Sequence, residues 1–314
     1  MAVNLQTVAS QPPSPAPAVT HGAQVTRLDP AVPVPLVLVV ALFAVSAAGT
    51  LVRLAPDAHP LTRALGRVLV AGLVLLPLAG RGFRRPSARD LGLTALAGTF
   101  LALHFWTWFA SLQQTSVMRS TVIVCSTPIW VGLLEAVVFR RPPRAHYWPG
   151  IAVALVGIVG LALSAPAARG GPVFGGPVAG DALALAGSWL GAGYFVIGSA
   201  VRTRVGIGVY GPAICFAAAA VLLVLSLAVG APLIPMGPAV GVVLALAAGP
   251  QLLGHIGFNW AVRYAPASLI AAVILVEPVG ASALAAVCLG EWPTWRDGLW
   301  AVVLLTGVGV AVRG

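Results

Sequence analysis

The feature that most constrains this chain is its division into apolar runs long enough to cross a lipid bilayer. A spanning helix needs about 20 apolar residues. Runs near that length occupy residues 34–54, 63–80, 91–112, 117–139, 146–164, 180–200, 207–229, 238–261, 267–289 and 296–312. The chain is 59% hydrophobic and only 8% charged, whereas soluble domains carry about 25% charged residues. The sequence therefore predicts an all-α polytopic membrane protein with ten transmembrane helices.

The basic residues predict how the chain is oriented in the membrane. All 18 are arginines, and most lie in short loops near residues 81–89, 140–144, 202–204 and 263, which fall on one side. The opposite side holds only Arg169 and Arg296. Because cytoplasmic loops are enriched in basic residues, both termini are predicted to be cytoplasmic, in an inner membrane. Arginines spread over loops do not indicate a nucleic-acid partner, although the net charge is +10.

Two halves of the chain resemble each other and define its organisation. "LHFWTWFASLQQTS" (103–116) aligns with "GHIGFNWAVRYAPA" (254–267), and "STPIWVGLL" (126–134) aligns with "VEPVGASAL" (276–284). Landmark pairs in the same order are His104 with His255, Pro128 with Pro278, and Gly157 with Gly307. Five helices per half is an odd number, so the second half enters from the opposite face. This inverted repeat is typical of alternating-access transporters.

These repeats set the predicted domain boundaries. Residues 1–33 are rich in Pro, Ala and Ser and predict a disordered cytoplasmic tail. The first five-helix repeat is predicted over residues 34–164 and the second over residues 180–314, with a loop at 165–179 between them.

Four stretches carry a resemblance to a known family. They are "ALGRVLVAGLVLLPLA" (64–79), "STPIWVGLLEAVVF" (126–139), "GDALALAGSWLGAGYFVIGSAVRTR" (180–204) and "AVILVEPVGASALAAVCLGE" (272–291). They closely resemble the helices of EamA-type transporters of the drug/metabolite transporter superfamily. The resemblance implies ten helices, cytoplasmic termini, a central cavity between two five-helix bundles, and export of amino acids or related metabolites. The chain departs from the family in "RRPPRAHYW" (140–148), which lacks the expected glutamate after the fourth helix.

The pair Glu277–Pro278 is the strongest candidate for a site. A charge at membrane depth is costly, and a proline frees a backbone carbonyl four residues earlier and permits a kink. Its repeat partner is Thr127–Pro128. Interrupted helices at corresponding midplane positions point to a transport site. Glu277 is predicted to bind a cationic or polar group or to carry a proton, and the alternative is a structural hydrogen bond to a neighbouring helix.

Polar stripes predict further cavity residues. His104 and Trp108 are four residues apart, and Gln251, His255 and Asn259 repeat that spacing, which places each set on one helix face. Such faces line the bundle interior or a wet cavity. An aromatic cavity wall is predicted from Trp189, Tyr194, Trp106 and Trp108. Arg67 matches an arginine that recurs at that place in the resembled family. Arg67 and Arg119 are each candidates to attract an anionic group of the substrate, and the alternative for both is contact with lipid headgroups.

The remaining motifs exclude other functions. "GIGVYG" (206–211) follows no strand, so it does not predict a dinucleotide site, and there is no Walker sequence for ATP. No HExxH-type pattern predicts a metal, and no cofactor or enzymatic activity is predicted. The sequence predicts a secondary transporter of a small metabolite, with protons as a candidate coupling ion. A facilitated-diffusion carrier and a non-transporting receptor or scaffold stay open as alternatives, as does the oligomeric state.

Overall fold

The protein is seen here in a computed structural model that describes residues 32–79, 86–139, 145–163, 176–202, 204–261, 264, 270 and 273–313. Seven helices in these ranges are long and apolar enough to cross a membrane. Two further apolar helices are shorter, Tyr147–Leu161 and Glu277–Leu289. The prediction of an all-helical polytopic membrane protein is therefore confirmed for the described part of the chain. The predicted tail up to residue 31, most of the 165–179 loop, and the basic loops at 80–85 and 140–144 lie outside these ranges.

The first half of the chain forms seven helices among the described residues. They are α1 (Val34–Ser46), α2 (Ala48–Arg53), α3 (Pro60–Leu75), α4 (Ala88–Ser111), α5 (Val117–Val124), α6 (Thr127–Phe139) and α7 (Tyr147–Leu163). Two of the predicted spans are divided, because α2 continues α1 and α6 continues α5 after short turns.

The second half forms six further α-helices among the described residues. Its described helices are α8 (Pro177–Arg202), α9 (Ile207–Ala228), α10 (Pro238–Leu246), α11 (Ile256–Ala261), α12 (Glu277–Leu289) and α13 (Trp295–Val312). A π-helix, Ala247–His255, joins α10 to α11 within the predicted 238–261 span. Pro250 lies inside it and has no backbone N–H to donate. The hydrogen bond at the end of this segment spans five residues, because the Ile256 amide donates to the Gln251 carbonyl.

Short polar side chains set the start of several helices. The Ser87 hydroxyl accepts a hydrogen bond from the Asp90 amide at 3.1 Å, at the start of α4. Ser116 does the same for the Arg119 amide at the start of α5, at 3.3 Å. Thr294 and Asp297 form a reciprocal capping box at the start of α13. Each cap satisfies an amide that the helix itself leaves unpaired, so it determines where the helix begins.

The helices pack closely where small residues face each other. Among described elements, the most extensive contacts join α4 to α8 and α7 to α13. A Cβ added at Gly157 would lie 2.5 Å from the Leu304 amide nitrogen, and one added at Gly307 would lie 2.3 Å from that of Ala154. Only glycine permits this approach, which matches the small-residue packing of membrane helices.

Candidate functional site

Two helix breaks lie at corresponding positions of the two halves. α5 ends at Val124 and α6 begins at Thr127, while α12 begins at Glu277 after a turn at residues 275–276. Pro128 and Pro278 are each the second residue of the new helix. Both prolines were predicted to kink their helices, and each lies just after a short turn that interrupts the helix. Proline removes a backbone donor but suits the first turn of a helix.

Equivalent backbone hydrogen bonds stabilise the two breaks. The Ser126 amide donates to the Ile123 carbonyl at 3.0 Å, and the Ile129 amide donates to the Ser126 carbonyl at 2.9 Å. In the other half the corresponding bonds run from Val276 to Val273 at 3.0 Å and from Val279 to Val276 at 3.1 Å. Every residue in the second set is 150 positions beyond its counterpart in the first. The two turns therefore share one backbone geometry.

A cavity of about 330 Å³ lies beside these breaks. The predicted site residues in its lining are His104, Trp108, Thr127, Pro128, Tyr194, His255 and Glu277. Much of the remaining lining is apolar and includes Phe195 and Phe258. The volume is at the lower end of small-molecule sites. The arrangement suits a small compound with an apolar body and a polar end.

Glu277 places a carboxylate at this lining from the first residue of α12. The Cys125 thiol approaches its Oε2 at 3.9 Å, which is a weak contact. The Ser46 hydroxyl donates to its backbone carbonyl at 3.4 Å. The charge of the Arg67 guanidinium also acts on the carboxylate. Glu277 is only partly buried, so a ligand in the cavity can reach it.

The two predicted histidines face each other across the lining. Their ring centroids are 6.5 Å apart, and the rings meet edge to face. His104 Nδ1 lies 2.7 Å from the Gly187 carbonyl oxygen. Because a carbonyl only accepts, Nδ1 carries the proton, and Nε2 of the neutral ring is an acceptor. His104 also stacks on Trp108, with centroids 6.1 Å apart.

Three predicted cavity residues lie behind the lining instead of in it. Arg67 is fully buried, donates from Nε to Gln251 Oε1 at 2.8 Å, and packs on Phe105 with its guanidinium carbon 4.0 Å from the ring centroid. Asn259 donates to the Tyr194 hydroxyl at 2.5 Å and to a backbone carbonyl. These side chains hold the wall of the cavity in position. The alternative of headgroup contact is excluded for Arg67 by its burial.

The predicted polar stripe is divided between the lining and the wall behind it. His255 lines the cavity, whereas Gln251 accepts from Arg67 and Asn259 donates to Tyr194. A spacing of four residues groups side chains on one face of a helix. Which of them reach the cavity depends on the helices that pack against that face, and the sequence pattern does not indicate this.

Arg67 is incompletely satisfied in this arrangement. Its Nη1 and Nη2 atoms are buried, and neither has a hydrogen-bond partner among the described residues. A buried charged donor without a partner is costly. The cost is partly offset by the aromatic face of Phe105 and by the nearby negative charge of Glu277.

A second polar cluster, which the sequence did not predict, lies at the opposite end of the bundle. Arg119 at the start of α5 forms ion pairs with Asp181 near the start of α8 and with Asp297 near the start of α13. Its Nη2 also donates to the Leu161 carbonyl near the end of α7. Thr115 donates to Asp181 at 3.1 Å. We call Arg119, Asp181 and Asp297 the ion cluster, and it joins four helices.

A neighbouring ion pair closes the same end of the bundle. Arg53 at the end of α2 pairs with Glu291 just after α12, and it donates to the Leu112 carbonyl at 2.7 Å. The second oxygen of Glu291 accepts from the Val117 amide at 3.0 Å, at the start of α5. Glu291, which follows Gly290 directly after α12, thus caps a helix from the other half of the chain.

The cavity and the ion cluster occupy opposite ends of the bundle. On α6 the lining runs from Thr127 towards Glu135, and on α8 it runs from Gly191 to Ser199. Glu135 and Ser199 are exposed, so the cavity reaches the surface there. Asp181 lies at the other end of α8. The cavity therefore opens away from the ion cluster.

The described residues contain no group of three or more His, Cys, Asp and Glu side chains that could hold a metal ion.

Comparison with known proteins identifies relatives over most of the chain. The sequence model of the EamA-like transporter family matches residues 33–163 and 178–313. An "Uncharacterized transporter YwfM" of Bacillus subtilis (strain 168) is 28% identical over 281 residues, covering 87% of this chain and 91% of that protein. "Inner membrane protein YtfF" of Escherichia coli (strain K12) is 30% identical over 112 residues, 34% of this chain and 35% of its own length.

The fold also resembles a solved structure. One protein, described only as a crystal structure, superposes with a TM-score of 0.60 at 21% identity, covering 88% of this chain and 96% of its own. At that identity the likeness shows a shared fold.

Proposed function

Because the chain belongs to the EamA-like transporter family, whose members are transporters and not enzymes, we propose that it is a secondary transporter of a small metabolite. The substrate would occupy the cavity beside the two helix breaks. The observation that carries this proposal is the position of Glu277 and Thr127, each at a break and each in the cavity lining. Transporters bind substrates and coupling ions at interrupted helices of this kind.

The proposed architecture is ten helices in two inverted repeats, over residues 34–164 and 180–314. The matched contacts of Gly157 and Gly307 support it. Gly157 meets Leu304, three residues before Gly307, and Gly307 meets Ala154, three residues before Gly157. Contacts of this reciprocal form are expected where a twofold axis relates two segments.

The packing of whole helices supports the same symmetry. α4 packs on α8, and the corresponding elements of the other half, the π-helix and α11, pack on α1. α6 and α5 pack on α8, as α12 packs on α1. These contacts between the halves thus have counterparts under exchange of the repeats.

The difference between the two ends of the bundle, one open and one closed, supports alternating access. In this state the cavity is open at the end with Glu135 and Ser199 and is closed towards the ion cluster. The arginine distribution predicts that the open end is cytoplasmic. In the proposed cycle, outward opening separates Arg119 from one of its carboxylates while the cytoplasmic end closes.

We extend this proposal to the class of substrate and to the source of energy for transport. The resemblance to EamA-type transporters favours an amino-acid-like or related metabolite that is exported across the inner membrane. Glu277 is the proposed proton carrier, because protonation would remove the cost of moving an unpaired charge between states. A carrier without ion coupling is the alternative closest to this one, and a receptor or scaffold is the more distant one.

The test is uptake of a pooled mixture of amino acids, purines, sugars and amines into proteoliposomes, read by mass spectrometry with and without a pH gradient. Accumulation only with the gradient would support proton-coupled transport. Uptake that merely equilibrates would contradict coupling and support the facilitator. Absence of uptake across the pool would favour the receptor or scaffold.

A further inference from the structure

We propose that the cavity recognises its substrate through a protonated amine and does not bind a carboxylate. It therefore prefers an arylalkylamine to the corresponding amino acid, which carries one additional carboxylate. This inference rests on the proposed function and narrows it, because among amino-acid-like and related metabolites it selects the amines that lack a carboxylate.

The first argument is the sign of the charges at the lining. Glu277 and Glu135 are the charged side chains among the described residues that line the cavity. Glu277 lies beside the helix breaks, and Glu135 lies at the exposed end, through which a ligand enters. An ammonium group is attracted along this route, and a carboxylate is repelled by both glutamates.

The second argument is the backbone at the two breaks. Pro128 and Pro278 leave the carbonyls of Val124 and Ile274 without their helical donors. The Val124 carbonyl accepts from the Thr127 hydroxyl at 2.7 Å. Among the described side chains, Cys125 Sγ approaches the Ile274 carbonyl oxygen, at a distance of 3.9 Å. Both residues line the cavity, so the breaks supply oxygen acceptors to it.

The backbone amides at the start of α6 and α12 do not add free hydrogen-bond donors to the cavity. The Ile129 and Val279 amides are the first donors after the prolines, and both donate back into their own turns. An anion at the start of α6 or α12 would therefore not find these helix donors free. The usual affinity of helix N-termini for anions is weakened at both breaks.

The third argument is the wall of the cavity. His104 presents an acceptor through Nε2, since its Nδ1 donates to the Gly187 carbonyl. Trp108, Tyr194, Phe195 and Phe258 supply aromatic surface. Such faces attract cations as well as apolar groups. The lining thus combines acceptors, aromatic faces and negative charge, which is the combination that an arylalkylammonium ion requires.

The fourth argument is the position of the nearest positive charge. Arg67 is fully buried behind Phe105 and hydrogen-bonded to Gln251. A ligand in the cavity cannot touch its guanidinium in this state. The donors that do line the described cavity are neutral hydroxyl, imidazole and indole groups. A carboxylate there would be desolvated without a cationic partner, which is strongly unfavourable.

The test is a comparison of binding by matched probes to the purified full-length protein. Phenethylamine and phenylalanine share a ring and an amine and differ by the carboxylate, and N-acetylphenethylamine removes the charge of the amine. We expect phenethylamine to bind at least tenfold more tightly than either of the other two. E277Q should reduce phenethylamine binding at least tenfold and leave the neutral amide unchanged. D57N, in an exposed loop, is the matched control.

The other outcomes overturn the inference. Tighter binding of phenylalanine would show that Arg67, whose Nη atoms have no hydrogen-bond partner among the described residues, is recruited to a carboxylate. Equal binding of all probes, or none, would show that the amine is not the recognised group. The wild-type comparison decides this even if E277Q fails to fold. Uptake from the pool of an amino acid, a purine or a sugar, without uptake of any amine, would refute the amine preference. The proposed transport function would still stand.

Discussion

Arg119 Nη1 lies 2.7 Å from Asp297 Oδ1, and this hydrogen bond ties the start of α5 to the start of α13. The same guanidinium pairs with Asp181 on α8. Arg119 and Asp181 side chains are only 4% and 5% exposed. Removing one partner of a buried pair is strongly destabilising because it leaves an uncompensated charge. The end of the bundle opposite the cavity is thus held closed by buried electrostatic contacts.

Replacing Arg119 with glutamine should favour opening of that end. Loss of the ion cluster costs the closed state about 3 kcal/mol, which is enough to change a two-state ratio about 100-fold. Spin labels at exposed positions Gln113 and Trp292 should move apart in R119Q, as measured by double electron–electron resonance. R204Q is the control, because Arg204 pairs with Asp90 away from the ion cluster. Unchanged distances in R119Q would contradict a gating role.

Alanine at Gly157 should destabilise the protein, because its Cβ would lie 2.5 Å from the Leu304 nitrogen. Overpacking of this kind costs about 1–3 kcal/mol. G307A should be destabilised to a similar extent if the contacts are related by symmetry. Gly309 in the same helix has open space at its Cβ position, so G309A should be neutral or stabilising. Thermal unfolding in detergent measures all three, and an unaffected melting temperature for G157A would refute the packing argument.

Glutamine at Glu277 should abolish gradient-driven accumulation, because an amide cannot release a proton to the other side. Residual equilibration of substrate is compatible with this prediction. The measurement is uptake by proteoliposomes as a function of internal and external pH, with D57N as control. If E277Q transported with the pH dependence of the wild-type protein, Glu277 would not be the proton carrier.

Removing the indole of Trp108 should weaken substrate binding about tenfold, since cation–π and apolar contacts to such a ring contribute about 1–2 kcal/mol. Trp108 is 3% exposed and lines the cavity. Trp189 is a matched control, because it is 47% exposed and is absent from the described lining. Equilibrium binding should separate W108L from W189L. Equal losses in both variants would show that the effect is not specific to the cavity.

Much of the candidate site follows from the sequence where residues obey α-helical spacing. His104 and Trp108, four residues apart, do lie together at the cavity. Thr127 and Glu277 also reach it, since a proline beside each marks the interrupted backbone. Gln251 and Asn259 were placed in the lining by the same spacing rule, and they lie behind it. The rule groups residues on one face, but the partners Arg67 and Tyr194 on neighbouring helices hold Gln251 and Asn259 outside the lining.

The sequence by itself determined the class of protein and predicted a repeat of its two halves. Long apolar runs with few charges indicate helices that lie in a lipid bilayer. Pro128 and Pro278 mark positions where a continuous helix would lack a backbone hydrogen bond. Tertiary structure alone decided which charges meet. Arg119, Asp181 and Asp297 are far apart in the chain, and Arg67 could equally have faced lipid, solvent or the cavity. Local spacing carries no information about such pairings, because they depend on how helices from the two halves pack against each other.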